Sequence, residues 1–265
     1  MSDSALAEYI YPVKTSHFNL RDHAIDTVTI HHAANGTGCS KGTAPNTLAV
    51  IFASCGKGGS CNYGIDSNGR IGLMLSEKYR SWCSNSRSND MRAVTVEVAN
   101  CEGAPSWRVS DKAMKALIAL CADICRRNGK SRMVWIPDKT RALNYTPRSG
   151  EMRMTLHTWV SEAPTGCPGE YLISKMQYIA DEVNRQLGAP EREKFTPYMV
   201  RITHPTGMNI RKSPGVSSPL VRGTMCVYRG IYTIVEEQTV GGQIWGRLKS
   251  GAGWICLSGF TERYR

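Results

Sequence analysis

The sequence predicts two domains, an α/β domain followed by a small all-β domain. In residues 1–188, short β-branched runs alternate with segments whose apolar residues recur at helical spacing. In residues 198–265, short apolar runs are separated by Gly, Pro and Ser turns, which is typical of a small β-barrel. Residues 189–197 combine charged residues with proline between these two patterns, so we interpret them as a linker.

Two strands and one hairpin are predicted in the first domain. The β-branched runs Asp26–His31 and Ala93–Val98 are short enough to be central strands of a sheet. Residues Asn62–Leu75 alternate in polarity around Ser67-Asn68-Gly69, and this pattern predicts a hairpin that turns at the glycine.

Two helices are predicted to pack on this sheet. Ser110 is a suitable N-cap for a helix that ends near Asn128-Gly129, with apolar residues Ala113, Leu117, Leu120 and Ile124 at helical spacing. A second helix carries Pro168 in its first turn and ends at Gly188. The mixture of strands and helices predicts an α/β architecture.

The second domain has a different pattern. Its predicted strands are short and are bounded by turn residues: Val200–Thr203, Met208–Arg211, Ile231–Val235, Ile244–Leu248 and Gly253–Cys256. We expect most of its aromatic side chains to belong to the core, with a ligand groove as the alternative.

Composition excludes several classes of protein and indicates an anionic partner. The 265 residues carry 33 Lys and Arg against 22 Asp and Glu, a net charge of +11, of which +6 lies in residues 190–265. Both domains are therefore basic, which favours nucleic acid or an anionic polymer such as the cell wall. The longest apolar run, Leu48–Ala53, is too short to span a membrane, so we expect no membrane partner. The N-terminus lacks the pattern of a signal peptide, so a cytoplasmic location is expected.

Two histidines and one cysteine form a candidate zinc site. His31 ends the first predicted strand, His157 follows the apolar run Met152–Leu156, and Cys167 directly precedes the second long helix. A thiol at a helix N-terminus is biased toward the thiolate, which is the form that binds zinc. Two imidazoles and one thiolate with an open fourth position are typical of a catalytic zinc site. The alternative is that each histidine is an ordinary core residue.

Glu97 is a candidate general base. It lies between Val96 and Val98 in a predicted strand, and alternation places its side chain opposite those two valines. The side chain points either to solvent or into a cleft where it could accept a proton from water.

Several ordered motifs together resemble one enzyme family. Over about residues 24–187 the chain is similar to the zinc-dependent N-acetylmuramoyl-L-alanine amidases that share their fold with peptidoglycan-recognition proteins. The motifs are Val28-Thr-Ile-His-His-Ala33, Asn62-Tyr-Gly-Ile-Asp-Ser-Asn-Gly69, Trp82, Val94-Thr-Val-Glu97, and His157 with Thr165-Gly-Cys-Pro168. The resemblance implies a central mixed sheet with flanking helices. The C-terminal part, with Met208-Asn-Ile-Arg-Lys212 and Gly251-Ala-Gly-Trp-Ile255, resembles a bacterial SH3-like cell-wall module.

The resemblance also assigns roles to individual residues. It implies that His31, His157 and Cys167 bind Zn²⁺, that Glu97 is the catalytic glutamate, and that Thr165 helps to hold the developing oxyanion.

The resemblance further places Asn62, Tyr63 and Trp82 in contact with the substrate. Relatives often have His where this chain has Asn62 and Cys83. The tyrosine that serves catalysis in some relatives falls at Cys61, so Glu97 is expected to carry that role.

A phage or prophage endolysin is the function that the resemblance favours. Such an enzyme cleaves the amide bond between the lactyl group of muramic acid and L-alanine, and it stays in the host cytoplasm until lysis. The alternatives are a non-catalytic peptidoglycan-binding protein, a bacterial autolysin and a cytoplasmic recycling enzyme. A nucleic-acid binder is disfavoured because the chain has no Lys/Arg run longer than two residues. The sequence leaves the oligomeric state open, and we expect a monomer.

Overall fold

The computed structural model describes residues 3–10, 17–34, 59–189 and 195–264. The chain divides into two compact units, residues 1–191 and 192–265, which are described separately below. Within the described ranges, none of the helices combines the length and the apolar character needed to cross a membrane.

A seven-stranded mixed sheet forms the centre of the first unit. Its order is β1-β5-β4-β7-β3-β9-β8, with β4 and β5 antiparallel and the other neighbouring pairs parallel. Strands β2 and β6 form a separate antiparallel pair. The strands of the unit are β1 Ala7–Ile10, β2 Phe18–Leu20, β3 Thr27–His32, β4 Tyr63–Ile65, β5 Ile71–Leu73, β6 Tyr79–Ser81, β7 Ala93–Val98, β8 Arg132–Val134 and β9 Glu151–Leu156. The predicted central strands and the predicted hairpin are therefore confirmed.

In the described part of the first unit, two long helices and three short ones pack with the sheet. They are α1 Arg87–Asp90, α2 Asp111–Arg127, α3 Lys139–Asn144, α4 His157–Val160 and α5 Gly169–Leu187. The Ser110 hydroxyl accepts a hydrogen bond from the Ala113 amide at 3.1 Å, which confirms the predicted N-cap of α2. Gly188 ends α5 in the left-handed conformation, as predicted. Pro168 is the N-cap residue of α5 and precedes its first turn, because the helix begins at Gly169.

The main core lies between the sheet and the long helices. Strand β3 is buried along its whole length, and α2 and α5 contribute the apolar residues that their periodicity predicts, including Leu117, Leu120, Leu172 and Ile179. Truncating a buried Leu or Ile in such a core typically costs about 2–5 kcal/mol. The rigid sheet fixes the positions of the side chains at its edge.

The second unit is all-β. Its strand order is β12-β11-β15-β14-β13-β10-β16, and every neighbouring pair is antiparallel. The strands are β10 Tyr198–Ile202, β11 Met208–Arg211, β12 Leu220–Cys226, β13 Ile231–Val240, β14 Gln243–Leu248, β15 Trp254–Cys256 and β16 Thr261–Tyr264. Trp245 and Trp254 are buried. The SH3-like character of this unit stays a prediction.

Sequence reasoning missed two strands of the second unit. Strand β12 contains Gly223 in a left-handed conformation, and the segment Thr261–Tyr264 that forms β16 is mostly polar. Neither segment has the apolar alternation that marks a half-buried strand. Their pairing with β11 and β10 supplies the backbone hydrogen bonds that such weak segments need.

Candidate metal centre

Three neighbouring parallel strands bring the candidate site residues to one edge of the sheet. In the β3–β7 register His31 lies beside Glu97, and in the β3–β9 register Ile30 lies beside Leu156. His157, the next residue after Leu156, begins α4 at the same edge. Because parallel strands place their carboxyl ends together, residues 126 positions apart in sequence become neighbours here.

His31, His157 and Cys167 converge as a donor group. One ligand atom from each lies within 4.8 Å of the others. The Cys167 Sγ is 3.6 Å from the His31 Nδ1, and the two imidazole centroids are 4.6 Å apart. Two imidazole nitrogens and one sulfur match the donors that zinc prefers, so the residues present fit a zinc ion.

Burial keeps the two imidazoles in the form that can bind a metal. Desolvation, reinforced by the repulsion that a protonated His157 would exert, lowers the pKa of His31 well below its ordinary value. Desolvation also lowers the pKa of His157. Both rings are therefore neutral near pH 7, and each keeps a lone pair for a metal ion.

Backbone hydrogen bonds fix the position of Cys167. Its carbonyl accepts from the Thr158 amide at 2.9 Å, and its amide donates to the Thr165 hydroxyl oxygen at 3.2 Å. The His32 amide donates to the Cys167 sulfur at 3.3 Å. Thr165 is half-buried two residues before the cysteine. Because the Thr165 oxygen accepts the hydrogen of the Cys167 amide, the hydroxyl hydrogen of Thr165 remains available for donation to another acceptor.

Glu97 lies at the same edge and contacts Cys83. The Cys83 thiol donates a hydrogen bond to Glu97 Oε1 at 3.6 Å, and His31, Cys83 and Glu97 form a second group of donors within 4.8 Å of one another. The half-buried Glu97 carboxylate is therefore directed toward the site. Sequence reasoning treated Cys83 only as a departure from the family pattern at a substrate-binding position. The structure adds its contact with Glu97.

Asn62 and Tyr63, two of the residues predicted to contact substrate, are buried in the sheet. Asn62 Oδ1 accepts from the Thr95 amide at 3.1 Å and from Arg21 Nη2 at 3.3 Å. The Tyr63 hydroxyl donates to Glu77 Oε1 at 2.7 Å. Burial and the Glu77 carboxylate raise the pKa of Tyr63, so its hydroxyl stays protonated. In this arrangement both side chains support the sheet, and their contact with substrate stays a prediction.

Trp82, the third residue predicted to contact substrate, is at the surface. Its side chain is 37% exposed, and its indole N–H donates to Asn19 Oδ1 at 2.8 Å. The His17 ring stacks on it with centroids 5.0 Å apart, and the Arg80 guanidinium lies 5.4 Å from its ring centroid. Trp82 is thus a fixed, exposed aromatic surface one residue before Cys83.

A known family profile matches most of the first unit. The profile, described as N-acetylmuramoyl-L-alanine amidase, covers residues 21–170, a range that includes all the candidate ligands and Glu97. No curated protein matches the chain.

Three of the solved structures to which this chain shows similarity come from different sources. Staphylococcus aureus hydrolase AmiA, solved in complex with its ligand, is 17% identical at a TM-score of 0.47, covering 70% of this chain and 88% of its own. A mutant of Drosophila PGRP-LB, solved in complex with tracheal cytotoxin, is 13% identical with a TM-score of 0.45. The match covers 66% of this chain and 96% of the PGRP-LB chain. The Ph2119 endolysin from a Thermus scotoductus bacteriophage is 15% identical with a TM-score of 0.41. The match covers 66% of this chain and 98% of the endolysin chain.

Proposed function

The chain belongs to the N-acetylmuramoyl-L-alanine amidase family, and we propose that it is a zinc-dependent hydrolase of the bond between the lactyl group of N-acetylmuramic acid and L-alanine. The observation that carries the proposal is the convergence of His31, His157 and Cys167, whose ligand atoms lie within 4.8 Å of one another. These three residues would hold the ion, and the neutral imidazoles and the sulfur are suited to it.

The proposed reaction divides the work between the ion and the surrounding side chains. Zinc, when bound, supplies a Lewis acid that polarises a carbonyl oxygen and acidifies water. Glu97 accepts the proton of the attacking water at its carboxylate and then delivers it to the leaving amine nitrogen of L-alanine. The Thr165 hydroxyl donates to the developing oxyanion, a contribution that is typically worth about 2.7–4 kcal/mol for one good donor.

Two features of the site support this role for Glu97. Its carboxylate accepts from the Cys83 thiol at 3.6 Å, which holds one oxygen in place. Its position beside His31 in the β3–β7 register places it at the edge where the candidate ligands meet. A base held beside the reacting groups requires little reorganisation during proton transfer.

We further propose that the protein acts as a phage endolysin. The second unit would bind peptidoglycan and its anionic polymers as an SH3-like module, because residues 190–265 carry a net charge of +6. This binding would raise the local concentration of the catalytic unit on its substrate without changing the chemical step. In this proposal the enzyme stays in the host cytoplasm until lysis releases it to the wall.

Digestion of purified peptidoglycan tests the proposed bond. The products, analysed by mass spectrometry, should show new L-alanine amino termini and intact glycan strands. Shortened glycan strands, or cleavage within the peptide, would refute the assignment. A protein that binds walls but releases nothing would instead be the non-catalytic binding protein.

Paired variants test the site. Cys167→Ser should lose zinc and activity together, whereas the half-buried Cys256→Ser in the second unit should lose neither. Glu97→Gln should retain one zinc ion and lose turnover by about 10²–10⁴-fold, as is typical for a general base. The exposed Glu102→Gln is its matched control. Normal turnover in Glu97→Gln would remove the general-base role.

A further inference from the structure

The imidazole of His31 is held at both of its ring nitrogens. Nδ1 faces the candidate metal centre, 3.6 Å from the Cys167 sulfur. Nε2 faces the opposite way, 3.2 Å from the Ser84 hydroxyl oxygen. Ser84 is fully buried and lies outside the group of candidate ligands.

Ser84 is in turn bonded to a buried carboxylate. Its backbone amide donates to Asp90 Oδ2 at 3.0 Å. The Asn89 side-chain amide donates to the other oxygen, Oδ1, at 3.0 Å. Burial raises the pKa of Asp90, and the hydrogen bonds from Ser84 and Asn89 oppose that rise. Asp90 thus accepts a hydrogen bond on each of its two oxygens.

The surroundings of the two ring nitrogens indicate which tautomer of His31 can bind a metal. Nδ1 faces Cys167, so this nitrogen must keep its lone pair if His31 is a ligand. The ring hydrogen then belongs to Nε2, and the Ser84 oxygen at 3.2 Å accepts it. A neutral imidazole carries one hydrogen, so Nδ1 presents a lone pair to the side where Cys167 lies.

The same buried segment joins the two strands that lead to the candidate histidines. The Asn89 side chain donates to Thr29 Oγ1 at 2.9 Å and accepts from Thr155 Oγ1 at 3.1 Å, and the two threonine hydroxyls are 2.8 Å apart. Thr29 precedes His31 by two residues on β3, and Thr155 precedes His157 by two residues at the end of β9. Asn89 therefore holds these strands together immediately behind the site.

This network lies in the protein interior. Ser84, Asp90, Thr29 and Thr155 are 0% exposed, and Asn89 is 6% exposed. Polar groups that are fully bonded in a low-dielectric interior hold their partners rigidly, because breaking any one bond leaves a buried group without a partner.

We propose that Ser84 and Asp90 are positioning residues that fix the Nε2–H tautomer of His31 and direct its Nδ1 lone pair to the metal. This inference rests on the proposed function, since it requires His31 to be a ligand. Metal-binding histidines generally donate their other ring N–H to a partner, and loss of that partner typically weakens metal binding by 10–100-fold. Here a serine carries the connection between the imidazole and the carboxylate.

Ser84→Ala tests the proposal against a matched control. Ser81 is equally buried, but its hydroxyl bonds to Thr95 at 2.7 Å rather than to a candidate ligand. We expect Ser84→Ala to weaken zinc binding by about 10–100-fold, measured by competition with a chelator. Ser81→Ala should bind zinc like the wild type. An equal loss in Ser81→Ala would show a general effect of removing a buried hydroxyl and would overturn the proposal.

Nitrogen-15 NMR of the zinc-free protein provides a measurement that is independent of metal and activity. The wild-type His31 should show a single neutral tautomer with hydrogen on Nε2, and Ser84→Ala should show a mixture. An unchanged tautomer in a folded Ser84→Ala protein would overturn the proposal. If Ser84→Ala does not fold, Asp90→Asn is the alternative test of the proposal, because it keeps the size of the side chain. This variant should weaken zinc binding at least several-fold. Wild-type zinc binding in Asp90→Asn would overturn the role of the carboxylate.

Failure of this inference is distinguishable from failure of the proposed function. A wild-type protein that binds no zinc, or binds it equally after Cys167→Ser, refutes the proposed metal site and this inference with it. Cys167-dependent zinc binding that is unchanged within twofold in Ser84→Ala refutes only the positioning role.

Discussion

Tyr63→Phe tests whether Tyr63 supports the sheet or contacts the substrate. The substitution removes only the hydroxyl, which donates to Glu77 Oε1 at 2.7 Å and accepts from the Ser4 amide at 2.8 Å. Glu77 keeps two other donors, because Arg127 donates to it at 2.6 and 3.0 Å. The buried Glu77 carboxylate therefore keeps hydrogen-bond donors after the substitution. The loss of about 3–5 kcal/mol of unfolding free energy that follows a broken buried ion pair does not apply here.

The substitution removes two hydrogen bonds, and the one to the charged Glu77 alone is worth about 1.5–3 kcal/mol. The unfolding free energy should therefore fall by about 2 kcal/mol or more. For a unit of this size, a loss of about 2 kcal/mol corresponds to a decrease in Tm of about 4–8 °C. Urea unfolding followed by circular dichroism measures the free energy, and amidase assays well below the transition measure kcat/KM. Because Tyr63 is fully buried, kcat/KM should remain within about twofold of the wild type.

The control is Tyr178→Phe. Tyr178 is 51% exposed on α5, so its hydroxyl should contribute less than about 0.5 kcal/mol. A tenfold loss of kcat/KM in Tyr63→Phe with unchanged unfolding free energy would refute the supporting role and establish the substrate contact that the family resemblance predicts.

Three further predictions concern the backbone and the pH dependence of stability. Gly169 has φ +80°, and a Cβ there would lie 3.3 Å from the His32 ring. Gly169→Ala should therefore lower the unfolding free energy, measured in urea, by about 1–2 kcal/mol. An unchanged unfolding free energy would contradict this prediction. Burial, then the charge of His157, lowers the pKa of His32 to about 4, so the unfolded chain binds a proton that the folded chain does not. The unfolding free energy of the zinc-free protein should therefore fall as pH decreases from about 6.5 toward 4, and an NMR titration of His32 with a midpoint near 6.5 would contradict it. Gly253 has φ +139°, and a Cβ there would clash with the Arg211 carbonyl oxygen. Gly253→Ala should therefore destabilise the second unit by about 1–3 kcal/mol in the same urea assay. An unfolding free energy within about 0.5 kcal/mol of the wild type would contradict this prediction.

Local patterns in the sequence predicted the elements that carry the site. The β-branched run that ends in His31 forms β3, and the run that contains Glu97 forms β7. The serine cap before α2 and the glycine stop after α5 were also predicted correctly. These features depend on residues that are near each other in sequence, and strand and helix periodicity reports them directly.

Local patterns were insufficient where an element owes its existence to its neighbours. Strand β16 is polar and short, so its pairing with β10 rather than its own periodicity defines it. The burial of Asn62 was missed for a related reason, because its polar atoms are satisfied by Arg21 and Thr95, which are far away in sequence. A buried polar residue is indistinguishable from an exposed one until its partners are known.

By itself, the sequence determined which residue types are available for a metal site and which elements present them. Only the tertiary structure decided that His31 and Cys167 meet, that Cys83 contacts Glu97, and that Ser84 lies behind the His31 ring. The physical reason is that these contacts depend on the order and register of parallel strands. Strand order and register result from packing across the whole sheet and have no signature in any single segment.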